Sequence, residues 1–261
     1  PDPVTGLPTS RSLPNGTTQL IDLYAEDIAS MVAWTYYFFH DELDKVNPSI
    51  NRYIRQEMEK RVFKPYFNHD HWWMCLHGEH ANNGTVWCNF NCAQCFLLMD
   101  TDPQRRSQAV WRSMCYVDKY LNTTKPDGAS EEGPSYWQHA AGKLINYLTL
   151  MKAATNGLID LSSVPQITNM GEYIVYSQIG GDHWVVNFAD ATAQYKNNVT
   201  DLVYTFGQYV HSPLLLSYAQ GLKQEYPHPL LGGRDISRIL TALSVYPDIE
   251  AHSFTPNTIT K

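Results

Sequence analysis

An all-α fold is predicted for this chain, and three observations predict it. Apolar residues recur three or four apart along most of the sequence, the spacing that gathers them on one face of a helix. A helix-start signal, Asn or Asp followed by Pro, appears at Asn47-Pro48 and again at Asp102-Pro103. Short runs of Gly, Pro, Asp and Ser separate the periodic stretches and read as loops.

The elements follow in order. Residues 18–39 carry Leu20, Leu23, Tyr24, Ile28, Met31, Val32 and Phe39 at helical spacing. Asn47 caps a second helix whose apolar face runs Ile50, Tyr53, Ile54, Met58, Val62. Residues 87–99 form a third, largely buried helix, and Asp102-Pro103 opens a fourth that reaches Leu121. Residues 122–134 form a loop. A long helix is expected from Ser135 to Thr155, stopped by Asn156-Gly157, and another from Val164 to Gln178. Gly180-Gly181-Asp182 breaks the pattern, Trp184 to Phe188 reads as a short extended segment, and two or three helices fill residues 197–246. Residues 1–16 are an N-terminal extension, 17–246 a helical domain, and 247–261 a polar, linker-like tail. Successive antiparallel helix pairs make an α/α array, and periodicity does not choose between a toroid and a solenoid.

Composition narrows the function. With 43% hydrophobic and 17% charged residues, the chain has material for a core and is not of the disordered class. A net charge of -7 without a basic tract argues against a nucleic-acid partner. It also argues against a highly sulfated polyanion, unless a local basic cleft exists. No apolar run of about 18 residues is present, so no membrane span is expected. No signal peptide is visible, and a start at Pro1-Asp2-Pro3 without Met is read as a mature or excised form. Six of the seven Trp fall between Trp72 and Trp184, a clustering that suits either sugar stacking or an aromatic core.

Cys88, Cys92 and Cys95 lie four and three apart, as on one helix face. A metal or nucleophile reading adds His71, Cys75, His77 and His80. That spacing matches no common zinc pattern, so a buried core stripe is the preferred reading and no metal or cofactor is expected.

Four stretches carry candidate chemistry. His77 to Asn89 holds Asn82 and Asn83 just ahead of a buried helix, where an anion such as a sugar carboxylate is favoured; plain helix capping is the rival reading. Pro126 to His139 holds Glu131, Glu132, Tyr136, Trp137 and His139. A phenol at the first turn of a long helix has its tyrosinate favoured by the dipole, whereas adjacent carboxylates oppose that. Asn169 to Tyr173 combines with Gly180 to Ala191, where His183 is either a general base or a surface residue. Asp70-His71-Trp72-Trp73 is an aromatic loop able to line a sugar cleft.

Together these stretches resemble the helical domain of the heparinase II/III-like polysaccharide lyases. The resemblance rests on Asn82-Asn83 with Trp87-Cys88-Asn89, on Pro126-Asp127-Gly128 with Glu132-Gly133-Pro134-Ser135-Tyr136-Trp137, and on Asn187-Phe188-Ala189-Asp190-Ala191. Phe39 to Val46 and Lys64-Pro65-Tyr66 add to it, so it spans about Leu20 to Ala191. It implies an incomplete α/α toroid of antiparallel helix pairs, here without the family's C-terminal β-sandwich, since nothing after Pro247 encodes several strands. It implies β-elimination at a uronic acid of an acidic polysaccharide, and a secreted or periplasmic location. Carried over by motif, Tyr136 matches the proton-transferring Tyr, and Asn82 or Asn83 the Asn that neutralises the sugar carboxylate, with Asn82 first. Trp72, Trp73, Glu132, Trp137, His139 and His183 are the expected substrate contacts. In the family a β-sandwich domain supplies a further His and often zinc. Gln138-His139 stands where the family commonly has Gly-Arg. The rival reading is a non-catalytic glycan-binding or structural α/α domain using Trp72, Trp73 and Trp137.

Overall fold

A computed structural model describes residues 21–229 and 238–251. The N-terminal extension 1–16 and residues 252–261 lie outside the described residues. Within them the chain is all-helical. Helix α1 spans Leu23–Val46 and α2 Pro48–Met58. Each start is made by its cap: the Asp22 carboxylate accepts from the Ala25 N–H (2.8 Å), and the Asn47 side chain from the Ser49 N–H (2.9 Å). Asn47 is extended, with φ −165°, so it ends α1 and begins α2 at one residue.

A wide π turn, Glu59–Phe63, joins α2 to α3 (Lys64–Asn68) without a break. Pro65 has no N–H to meet the Arg61 carbonyl. The Lys64 N–H reaches back five residues to the Glu59 carbonyl. Helix α4 (Asn83–Met99) is buried on nearly every side, and the polar residues Asn89, Asn91 and Gln94 that it buries are hydrogen-bonded. Val86, Phe90 and Ala93 face one core, with α6 to α10; Cys88, Cys92, Cys95 and Phe96 face a second, with α1, α3 and α5.

Helix α5 (Pro103–Thr123) begins at Asp102, whose carboxylate accepts from the N–H groups of Gln104 and Arg105. The long helix expected from Ser135 is interrupted. Pro134–His139 is a 3-10 segment, Ala140 leaves helical geometry at φ −107°, ψ −84°, and α6 spans Ala141–Ala154. Then come α7 (Pro165–Tyr176), α8 (Thr200–Val210), α9 (Pro213–Glu225) and α10 (Arg238–Ala251). The linker expected from Pro247 therefore starts inside α10, because Tyr246 and Ile249 are buried in the core and hold the helix across the proline. The extended segment expected near Trp184 amounts to two isolated bridges, Gln178 with Val185 and Trp184 with Gln194. Among the described residues no helix is long and apolar enough to cross a membrane.

Helix neighbours fall into two rows. α1, α4, α6, α8 and α10 touch in succession, while α2, α5, α7 and α9 each pack against a member of that row. The first row is pinned by a buried polar network. Asp27 of α1 accepts from Trp87 Nε1 (2.8 Å) and Asn91 Nδ2 (2.7 Å) of α4, and Lys143 Nζ of α6 lies 3.4 Å away. The Lys143 ammonium also sits 4.5 Å from the centre of the Trp87 ring.

Beside this network, Glu26 is buried and accepts from the Cys92 thiol at 3.2 Å. Burial pushes its carboxyl pKa from 4.5 up to about 8, with Asp22 and Asp27 adding to the rise. The folded state thus holds a proton that the unfolded chain releases above 4.5, so this group costs stability progressively as pH rises from 4.5 to about 8. Glu26→Gln is expected to flatten that loss. Its melting temperature should exceed the parent's at about pH 8 and match it near pH 4. An equal shift at both pH values in thermal unfolding would refute the assignment.

Candidate functional site

The N-terminus of α4 organises the candidate site. Asn82 caps it with its side-chain oxygen on the Gly84 N–H (2.9 Å), and Thr85 Oγ1 accepts from the Asn82 N–H (3.4 Å). Capping and a ligand role are compatible here. With Oδ1 committed to the cap, the amide N–H2 is the donor that Asn82 offers to the cleft it lines. Asn83 is buried and turns the other way, donating from Nδ2 to Glu132 Oε1 at 3.2 Å.

That bond joins α4 to the Glu131–Trp137 loop. His80 makes a second link, its Nε2 lying 2.8 Å from Glu131 Oε2. Between the two links opens a cleft of about 190 Å³, lined by Asn82, His80, Glu131, Glu132, Tyr120 and neighbours. Burial raises the Glu132 carboxyl pKa, the Asn83 bond opposes this, and nearby Asp190 and Glu131 reinforce it. Tyr120 is buried on the cleft floor and its phenol is pushed well up by desolvation.

A third stretch closes on the same loop. Gly133 has φ +86°, and a Cβ there would lie 2.6 Å from the Phe188 carbonyl oxygen and 2.7 Å from the Ala191 Cβ. Only glycine suits both the left-handed backbone and this approach. Ser135 Oγ accepts from the Thr192 N–H at 2.8 Å. The Pro126–Gly128 turn docks on α7 similarly, where Asn169 Nδ2 donates to the Pro126 carbonyl (2.8 Å). The stretches singled out in the sequence thus meet around one loop, although they lie some fifty residues apart.

The predicted residues divide. Asn82 and Glu132 line the cleft, while Asn83 is off its lining and bonded to Glu132. Tyr136 is half-buried in the 3-10 segment and is not on the cleft lining, with its ring edge-on to His139 at 5.9 Å. Because α6 begins only at Ala141, the phenol does not sit at the first turn of a long helix, where the sequence pattern places it. His139 stacks flat on Trp87 (4.8 Å, 9°), and its Nε2 lies 3.2 Å from Gln138 Nε2.

Two expected stacking residues are corrected. Trp73 is fully buried, donates to the Ile21 carbonyl (2.9 Å) and stacks on His71. Trp137 is fully buried and donates to the Met170 carbonyl (2.8 Å). Both are core anchors without a face for a sugar. Trp72 is 49% exposed and lies against Gly84 at the start of α4, so it keeps an accessible ring near the site. His183 is bound to Glu225 (2.7 Å) and is not on the cleft lining.

The cysteine and histidine alternative is dispersed. Cys88, Cys92 and Cys95 point into the core, where burial raises their thiols, whereas His77 turns to Asp70 and His80 to Glu131. Among the described residues no group of three His, Cys, Asp or Glu is placed to hold a metal ion. Sequence reasoning missed the pairing of His80 with Glu131, and Tyr120 as the floor; neither has a local sequence signal. No family model and no curated protein matches the chain.

Proposed function

We propose that this chain is the helical substrate-binding part of a polysaccharide lyase that cleaves a uronic-acid-containing glycan by β-elimination. The observation that carries the reading is the Asn83–Glu132 bridge, which ties the start of α4, where Asn82 lines the cleft, to the loop that leads to Tyr136 and packs through Gly133 on Phe188 and Ala191. The chemistry needs a neutral donor for the sugar carboxylate and a group that moves protons both ways at C5 and O4. Asn82 supplies the donor. Glu132, on the cleft lining and held by Asn83, is a further substrate contact. Tyr136 takes the C5 proton, or returns one to O4 as the C4–O4 bond breaks and the C4–C5 double bond forms.

The two rows of helices support an incomplete α/α toroid, since a ring of this kind needs an inner and an outer row. The reading includes a β-sandwich domain in the full-length protein that adds a His, and a secreted or periplasmic setting. A purely glycan-binding role through three tryptophans has less support, because only Trp72 of the three has an exposed ring. The test is incubation of the full-length protein with polyuronates and glycosaminoglycans. The expected result is a product with an unsaturated uronate absorbing in the near ultraviolet; reducing ends formed without that absorbance would identify a hydrolase and sink the proposal.

A further inference from the structure

We infer that a groove on α2, the π turn and α3 is a binding site for the sulfate esters of an acidic glycan, separate from the cleft at Asn82. The groove encloses about 660 Å³, within the range of pockets that hold small ligands. Arg52, Arg55, Lys60 and Lys64 all line it. The one carboxylate on its lining, Glu59, is already held by Arg105 at 2.9 Å.

These four cations stand apart from their neighbours. Arg61 pairs with Glu57, Arg105 with Asp100, and Lys45 with Glu42. Among the described residues none of the four forms an ion pair with a carboxylate. The partners they have are neutral: Arg52 donates to Ser49 Oγ (3.2 Å) and Arg55 to the Tyr36 hydroxyl (2.9 Å). Four like charges converging on one concavity, in a chain of net charge -7, concentrate a positive potential that an anion neutralises. The backbone builds the cluster. The π turn forced by Pro65 makes Lys64 bond Glu59 five residues back, and Lys60 and Lys64 open onto the same groove.

The groove chemistry selects the ligand. Guanidinium groups match the forked oxygens of a sulfate ester, and ammonium groups add charge without geometric demand. The Gln56 and Asn68 amides on the same lining suit sugar hydroxyls. A nucleic acid is disfavoured, because its affinity comes from many phosphate contacts along a basic tract, which this sequence of net charge -7 lacks. This inference does not rest on the lyase reading, since it concerns binding at a different surface.

Calorimetric titration of the intact chain with dextran sulfate, unsulfated dextran and a single-stranded oligonucleotide tests it. Dextran sulfate is expected to bind, more weakly as salt rises, and unsulfated dextran is not. The combined variant Arg52→Gln, Lys60→Gln, Lys64→Gln should weaken binding by about tenfold or more, with an unchanged melting temperature because all three side chains are exposed. Should that variant unfold, Lys60→Glu alone must still weaken binding severalfold. Undiminished affinity in the variants, no binding of dextran sulfate, equal binding of plain dextran, or tighter binding of the oligonucleotide would each overturn the inference.

Discussion

Lys143→Met is expected to destabilise the fold by about 3–5 kcal/mol, the usual cost of removing one member of a buried charge pair. Lys143 has no solvent exposure, and its ammonium lies 3.4 Å from Asp27 Oδ1. Methionine matches the volume of the stem but supplies no charge, so the Asp27 carboxylate loses this ammonium and keeps the neutral donors Trp87 and Asn91 in a low-dielectric surrounding. The pair spans α1 and α6, with Trp87 and Asn91 of α4 between them, so the loss is felt by three helices at once. Urea unfolding monitored by circular dichroism measures it. The double variant Asp27→Asn with Lys143→Met should recover part of the loss, because no ion is then left unmatched. A loss below about 1 kcal/mol in the single variant would mean that the pair is not buried as described.

The same pair marks where sequence reading runs out. Asp27 and Lys143 are 116 positions apart, and nothing local announces that they meet. What was legible is chemistry within a few residues. Asn47-Pro48 and Asp102-Pro103 start helices as expected, since capping is a contact between neighbours. Residues 87–99 read as a largely buried helix, and they are buried along most of α4. Trp73 and Trp137, in contrast, look as suitable for a sugar face as Trp72, and only the packing of distant helices decides which ring is covered. The break at Ala140 was hidden because Ser135 to Thr155 keeps a helical pattern across it, while Trp137 is drawn into the core by its bond to the Met170 carbonyl. Pro247 misled in the other direction. A proline removes one backbone hydrogen bond, but buried Tyr246 and Ile249 favour keeping the helix. The site behaves likewise: the α4 cap was readable at Asn82, and the His80–Glu131 link was not.

Tyr136→Phe in the full-length protein is expected to lower the rate of β-elimination by about 10²–10⁴-fold, the range for loss of a positioned general acid or base. The substitution removes one oxygen from a half-buried ring that packs edge-on against His139, so the fold should be untouched. Substrate affinity should change little, because the proposed carboxylate contact is a different residue, Asn82 on the cleft lining. The expected signature is therefore a fall in kcat with KM nearly constant, the pattern of a group needed in the transition state more than in the ground state. Asn82→Ala provides the contrast. It removes both the carboxylate donor and the cap on Gly84, so it should raise KM, lower kcat and cost about 1 kcal/mol of stability together. If Tyr136→Phe retained full activity while Asn82→Ala lost it, the proton would have to pass through another group. His80 would then be the nearest alternative on the cleft lining, because its ring nitrogen is already oriented by Glu131 at 2.8 Å.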